Sequence, residues 1–206
     1  PARSPRSNPP LDSQNPGSME RMDNRAFVVV GPSGVGKGTV LKEALARAPE
    51  CWLSVSATTR DPRPGEREGV DYFFVSDERF DELVETGQML EWALVHGVNR
   101  YGTPRGPVDD AAARGRIPVL ELDLAGARQV RRSMPEAAQI FIAPPAWEEL
   151  ERRLRGRGTE SPEEIARRLE TAREEMAAME EFDVVVVNDS VSRATEELLR
   201  IFGITR

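Results

Sequence analysis

The chain has 206 residues and a net charge of −7, with 28 Lys and Arg against 35 Asp and Glu. The length allows one compact domain or one core with a mobile subdomain, at about 100 to 200 residues per domain. The acidic balance disfavours non-specific binding to nucleic acid or to an anionic membrane. The chain has one cysteine, Cys51, which excludes an intrachain disulfide. It has one histidine, His96, so a zinc site of paired His or Cys ligands is also excluded. No apolar run approaches the roughly 20 residues of a membrane helix, so we predict a soluble, cytoplasmic protein.

Residues 1–18 are polar and contain five prolines. Such a segment buries too little apolar surface to offset its ordering entropy, so we predict a disordered tail. A weak nucleic-acid-binding arm is the alternative, because both arginines of the segment precede its first acidic residue, Asp12.

From Arg25 onward, short apolar runs alternate with amphipathic segments. This alternation is typical of an α/β fold in which helices cover both faces of a parallel sheet. The predicted strands are 27–31, 52–54, 117–122, 139–143 and 183–188, and the predicted helices lie near 37–47, 104–114, 124–132, 146–155, 162–179 and 191–202.

Residues 53–103 interrupt the alternation with a loop rich in Pro and Gly, and then with further strand and helix patterns. We therefore predict an inserted lobe. Within it we expect a loop at 61–69, a short run at 72–75, a helix near 77–86 and a strand at 89–95; the core would comprise 19–52, 104–150 and 180–206, and the lid with its flanking helices 151–179.

A glycine-rich loop follows the first predicted strand and precedes the first predicted helix. This order predicts a P-loop, in which backbone N–H groups and the helix N-terminus surround phosphate oxygens while the lysine reaches the outer phosphates. The residues expected at the ATP phosphates are Gly31, Ser33, Gly34, Val35, Gly36, Lys37, Gly38 and Thr39.

The P-loop has Gly38 at the position where a Ser or Thr hydroxyl usually contacts Mg²⁺. Two acids near the end of strand 117–122 could supply the missing oxygen. Glu121 and Asp123 alternate in sequence, so we expect them to point the same way from one strand. We predict Glu121 as the ligand of the Mg²⁺ that accompanies ATP; ordinary solvated carboxylates are the alternative.

Hydroxyl side chains and two arginines, Arg60 and Arg63, cluster in a turn that Pro62 and Pro64 stiffen. The forked guanidinium group of arginine matches a phosphate dianion. The turn therefore indicates a second phosphate site, and a solvent-facing arginine loop is the alternative.

Seven segments, in order, resemble the guanylate kinase family: GPSGVGKGT, SVSATTRDPRPGEREGVDYFFVS, EWALVHG ending in RYGT, LELDLAG, FIAPP, LRGRGTES and VVNDS. The likeness runs from about Ala26 to Phe202. It implies transfer of the γ-phosphate of ATP to GMP, and to dGMP, with Mg²⁺ and without a general base. One extra residue between Glu91 and Tyr101 leaves the register of 97–100 open.

The resemblance also implies roles for individual residues. The exocyclic amine and N1–H of guanine are adjacent donors that one carboxylate can accept together, and a buried carboxylate left unpaired by adenine is costly. The implied GMP-phosphate contacts are Arg60, Arg63, Tyr72 and Tyr101; the implied guanine contacts are Ser56, Glu91, Thr103 and Asp123; Lys37, Arg153, Arg157 and Arg168 would surround the transferred phosphoryl group, and Asn188 and Asp189 would hold adenine.

Three other functions remain as alternatives. An adenylate kinase shares the GKGT loop but not the base-reading acids, and a catalytically silent guanylate-kinase-like module would not need Lys37 or the lid arginines. A P-loop GTPase would need an NKxD motif, whereas Asn188 and Asp189 have no lysine between them.

Overall fold

The computed structural model describes residues 26–95, 97–156 and 161–204. The strands are β1 Phe27–Val30, β2 Cys51–Leu53, β3 Ala57–Thr58, β4 Phe73–Phe74, β5 Met89–Val95, β6 Asn99–Pro104, β7 Ile117–Glu121, β8 Ala138–Ala143 and β9 Val184–Val187. The helices are α1 Lys37–Arg47, α2 Asp77–Glu85, α3 Arg105–Ala113, α4 Leu124–Ser133, α5 Trp147–Arg155, α6 Pro162–Ala177 and α7 Val191–Ile201, with a 3₁₀ turn at Met179–Glu181.

Five strands form a parallel sheet in the order β2-β7-β1-β8-β9. The predicted α/β fold is therefore confirmed, and the five predicted core strands agree with the observed ones to within one residue at each end. Parallel strands are covered on both faces, which is why they read as continuous apolar runs. The central strand, β1, is buried along its whole length.

The hydrophobic core lies on both faces of this sheet. Because successive side chains of a strand point to opposite faces, Val28 and Val30 pack in one cluster with Phe141, whereas Val29 packs in the other with Ile142. Both clusters contain fully buried side chains, so the sheet is a rigid platform for the loops at its carboxyl edge.

The remaining strands form a second sheet in the order β4-β3-β6-β5. Strands β3 and β6 were not predicted, because β3 has two residues and β6 reads NRYGTP, without an apolar alternation. Strand β6 exists because it pairs with β5 in an antiparallel hairpin. In this hairpin Val95 lies opposite Asn99 and Leu94 lies opposite Arg100.

Helix α6 begins at a capping box, in which the Ser161 hydroxyl accepts the Glu164 N–H and the Glu164 carboxylate accepts the Ser161 N–H. The helix ends at Ala177 rather than at residue 179, where the chain turns into the 3₁₀ segment. The predicted tail at 1–18, His96 and the lid residue Arg157 lie outside the described residues. Every helix within the described ranges is too short or too polar to span a bilayer.

Candidate active site

The P-loop leaves the carboxyl end of β1 and lies against the neighbouring strand β8. A Cβ at Gly31 would lie 2.4 Å from the carbonyl oxygen of Ile142, so no side chain fits there. Gly34 and Gly36 adopt φ values of 84° and 91°, in the left-handed region that favours glycine. The loop thus turns its backbone inward and delivers Lys37 as the first residue of α1.

Side chains from α5, from α6 and from the end of β9 donate hydrogen bonds to this loop. The Val35 carbonyl accepts hydrogen bonds from Asn188 Nδ2 at 2.8 Å and from Arg153 Nη1 at 3.1 Å. Arg168 Nη2 donates to Ser33 Oγ at 2.7 Å. The fold therefore brings two of the predicted phosphoryl-facing arginines to the P-loop.

The predicted adenine contacts lie at the end of β9. Asn188 is only 3% exposed, and its side-chain amide donates to the Val35 carbonyl oxygen of the P-loop. Asn188 therefore stabilises the loop. Asp189 forms an ion pair with Arg193 at 2.7 Å. Their contact with adenine stays a prediction.

A cavity of about 540 Å³ opens beside the P-loop. The Lys37 ammonium group donates to the Leu122 carbonyl oxygen at 3.1 Å, which keeps the lysine at the end of β7. The cavity is lined by Pro32, Gly34, Gly36, Lys37, Gly38, Thr39, Lys42 and Glu121. Lys42 was missed by sequence reasoning, although it follows Gly38 by one helical turn.

Glu121 and Asp123 do not lie on one strand, so that prediction was wrong. Strand β7 ends at Glu121, and Asp123 is the N-cap of α4, where its Oδ1 atom accepts the Gly126 N–H at 2.7 Å. Glu121 faces the P-loop cavity, whereas Asp123 lies close to Glu91.

Among the residues that the structure describes, Glu121 is the carboxylate that lines the P-loop cavity. A Cβ at Gly38 would point to Glu121, with 4.0 Å to its Oε1 atom. No group of three or more His, Cys, Asp or Glu side chains that could hold a metal occurs among residues 26–95, 97–156 and 161–204. This arrangement fits Mg²⁺, which usually keeps several waters and binds through one or two carboxylates and substrate phosphates.

The predicted guanine contacts lie on the β5–β6 hairpin of the second sheet. Glu91 and Thr103 are directly opposite in the antiparallel register, and Thr103 Oγ1 donates to Glu91 Oε1 at 2.6 Å. Glu91 is only 9% exposed. Burial raises the pKa of its carboxyl group, and the nearby charge of Asp123 acts in the same direction, while the Thr103 hydrogen bond opposes both.

Three of the four predicted GMP-phosphate residues, Arg60, Tyr72 and Tyr101, lie together. The Nε atom of Arg60 donates to the Tyr101 hydroxyl at 3.2 Å, and its guanidinium carbon lies 5.4 Å from the centre of the Tyr72 ring. Ser56 lies just before β3, where its carbonyl oxygen accepts the Phe73 N–H.

Glu66 is a site residue that the sequence did not reveal. It accepts hydrogen bonds from Nη1 and Nη2 of Arg60, each at 3.0 Å, and from the Arg63 backbone N–H at 2.7 Å. Hydrogen bonding to Arg60 is the main cause that holds the pKa of Glu66 below its usual range. The carboxylate fixes the plane of the Arg60 guanidinium group, and the Nε edge stays directed at Tyr101.

Glu175, on α6, is a second carboxylate without a sequence signal. It accepts a hydrogen bond from the Ser33 backbone N–H, and burial raises its pKa while Lys37 opposes that shift. In the part of the chain that the structure describes, its Oε2 atom is buried without a hydrogen-bond partner. Ser33 is thus held by α6 at both its N–H and its hydroxyl group.

Comparisons with known proteins agree with this geometry. A family model described as guanylate kinase matches residues 23–203. A guanylate kinase of Thermobifida fusca (strain YX) is 60% identical over 187 residues, covering 91% of this chain and 95% of that protein. A guanylate kinase of Parasynechococcus marenigrum (strain WH8102) is 59% identical over 177 residues, covering 86% and 97%.

A solved structure gives the same result. The crystal structure of guanylate kinase from Anaplasma phagocytophilum is similar with a TM-score of 0.64 and 33% sequence identity, covering 90% of this chain and 88% of that one. The family model and the curated relatives extend over both the P-loop and the hairpin of the second sheet. The chain belongs to the guanylate kinase family.

Proposed function

We propose that the chain transfers the γ-phosphate of ATP to GMP, and also to dGMP, giving ADP and the nucleoside diphosphate. The observation that carries the proposal is the pairing of a complete P-loop with a buried, hydrogen-bonded carboxylate on the second sheet, Glu91. The P-loop suits a nucleoside triphosphate, and the carboxylate suits a base that presents two adjacent donors.

The guanine base binds to the β5–β6 hairpin in this proposal. The Glu91 carboxylate accepts N1–H and the exocyclic amine of guanine, and Thr103 holds one of its oxygens. Asp123 and Ser56 border the same base. Adenine has no donor at N1, so it would leave a buried carboxylate oxygen unpaired, which is the type of mismatch that such sites reject strongly.

The GMP phosphate binds at the Arg60 cluster. Glu66 accepts one N–H from each of Nη1 and Nη2 of Arg60, and the Tyr101 hydroxyl accepts the Nε N–H, so the phosphate would take the second N–H of Nη2, on the Nε edge next to Tyr101. Arg63 adds a second guanidinium group. These contacts align the acceptor oxygen for in-line attack. GMP then loses its translational and rotational freedom when it binds, before the chemical step.

On the donor side, Lys37 neutralises charge on the outer phosphates of ATP, and Arg153 and Arg168 reach the same region from α5 and α6. Arg157 would approach from the lid. The acceptor oxygen is an ionised phosphate, so no proton must be removed and no general base is needed. Catalysis then consists of positioning and charge neutralisation.

Mg²⁺ is part of the proposal, and Glu121 would hold it. When bound, the ion neutralises charge on the ATP phosphates. The absence of a hydroxyl at Gly38 leaves Glu121, water and the phosphates as the ligands. A cytoplasmic location and the division into core, lobe and lid stay predictions from the sequence.

Equilibrium binding tests the acceptor assignment. Isothermal titration of GMP, dGMP and AMP into the full chain is expected to show binding of both guanine nucleotides and weak or no binding of AMP. Tighter binding of AMP than of GMP would refute the proposal and favour an adenylate kinase.

A further inference from the structure

One face of helix α4 lies along the open edge of strand β5. Gly126, Gln129 and Ser133 are spaced by three and four residues, so they share that face. Strand β5 is the last strand of the second sheet, so within the described ranges the backbone groups on its outer edge have no neighbouring strand. The helix therefore occupies the place of a strand partner.

Two polar side chains of α4 bind the backbone of β5. Gln129 Oε1 accepts the Trp92 N–H at 3.2 Å, and Gln129 Nε2 donates to the Trp92 carbonyl oxygen at 3.0 Å. Ser133 Oγ donates to the Leu90 carbonyl oxygen at 2.6 Å. The two anchored residues, Leu90 and Trp92, flank Glu91 directly, so α4 fixes the backbone on both sides of the guanine-reading carboxylate.

Gly126 gives that carboxylate its space. A Cβ at position 126 would lie 3.2 Å from Glu91 Oε2 and 3.3 Å from Asp123 Oδ1, closer than nearly all real Cβ contacts. Without a side chain there, both acids lie at the first turn of α4. The partial positive charge of a helix N-terminus favours carboxylates at this position, which offsets part of their mutual repulsion.

We infer that Gln129 is a positioning residue for guanine selection, because its amide holds Trp92 and thereby sets the distance of the Glu91 carboxylate from the two donors of the base. This inference rests on the proposed guanine-reading role of Glu91. Gln129 does not touch the nucleotide. Its effect should consequently fall on the contact that distinguishes GMP from IMP, whose base lacks the exocyclic amine and keeps N1–H.

Steady-state kinetics with GMP and with IMP test the inference. In the Gln129→Leu variant of the full chain we expect kcat/KM for GMP to fall more than that for IMP, so that the ratio of the two drops by about 3- to 30-fold, the equivalent of one or two hydrogen bonds. The KM for ATP should not change. The matched control is Arg132→Leu, an exposed residue of the same helix, which should keep the wild-type ratio.

A merely structural role gives a different result. If Gln129→Leu lowers kcat/KM equally for GMP and IMP, or changes neither, the inference is overturned. Gln129→Glu keeps the acceptor for the Trp92 N–H but loses the donor, so we expect an intermediate ratio. Thermal unfolding of each variant confirms that the compared proteins are folded.

Glu91→Gln separates this inference from the proposed function. A large loss of GMP preference in Glu91→Gln, with none in Gln129→Leu, would overturn the inference and keep the proposed function. If Glu91→Gln itself leaves the preference intact, the base-reading role of Glu91 fails, and this inference fails with it. Gly126→Ala gives an independent check, because the added methyl group should displace Glu91 and lower the GMP preference while Gln129 is unchanged.

Discussion

Glu91→Gln should weaken GMP binding and strengthen the fold at the same time. The substitution keeps the shape of the side chain and one acceptor oxygen. It removes the charge, however, and places the donor NH2 of the amide against a donor of guanine. Loss of one hydrogen bond to a charged group costs about 1.5–3 kcal/mol, or about 10- to 150-fold in kcat/KM for GMP. The KM for ATP should stay near its wild-type value, because Glu91 lies on the second sheet.

The stability effect depends on pH with a defined sign. Burial raises the pKa of Glu91 above its ordinary value of 4.5, so the folded chain binds this proton more tightly than the unfolded chain does. The contribution of Glu91 to stability is therefore present below pH 4.5 and is lost as the pH rises through the raised pKa. Glutamine stays neutral, so the variant should gain stability relative to wild type as the pH increases.

Chemical denaturation at a series of pH values from acidic to neutral measures this difference, and GMP kinetics at neutral pH measure the functional cost. A variant that is less stable than wild type at the upper pH would contradict the cost of burying the charged carboxylate. Equal effects on GMP and ATP would contradict the base-reading role.

Three further substitutions test other parts of the site. Lys37→Ala should lower kcat by at least about 100-fold with an unchanged melting temperature, and residual turnover near wild type would exclude the lysine from phosphoryl transfer. Glu66→Gln should raise the KM for GMP several-fold, because Arg60 loses its charged partner; since the pKa of Glu66 is held low, the effect should be constant across neutral pH. Gly38→Ser should lower the Mg²⁺ concentration for half-maximal turnover by placing a hydroxyl beside Glu121, and an increased requirement would contradict that placement.

The sequence predicted the core sheet well because its strands are buried on both faces. A continuous apolar run such as Phe27–Val30 and a striped helix such as α7 are local signals, and they agree with the tertiary structure. Strand β6 has no such signal. Its six residues become a strand through pairing with β5 and β3, interactions between segments that no local pattern encodes.

The site residues divide in the same way. The P-loop and the arginine turn are each continuous in sequence, so their residues could be recognised from the sequence alone. The prediction that Asp123 shares a strand with Glu121 was wrong. An acid directly before a helix is a known N-cap signal, which could have corrected it. Glu66 and Gln129 are ordinary polar residues by sequence; Gln129 acquires its partner, Trp92, from 37 positions away.

The measurement that tests the central claim most directly is ADP formation with ATP and Mg²⁺, with GMP, dGMP, AMP, CMP and dTMP supplied in turn. The Lys37→Ala protein serves as the blank. Turnover with GMP and dGMP alone is the predicted result. Turnover with AMP in preference to GMP would contradict it, and so would GMP binding without turnover of any acceptor, which would indicate a catalytically silent member of the family.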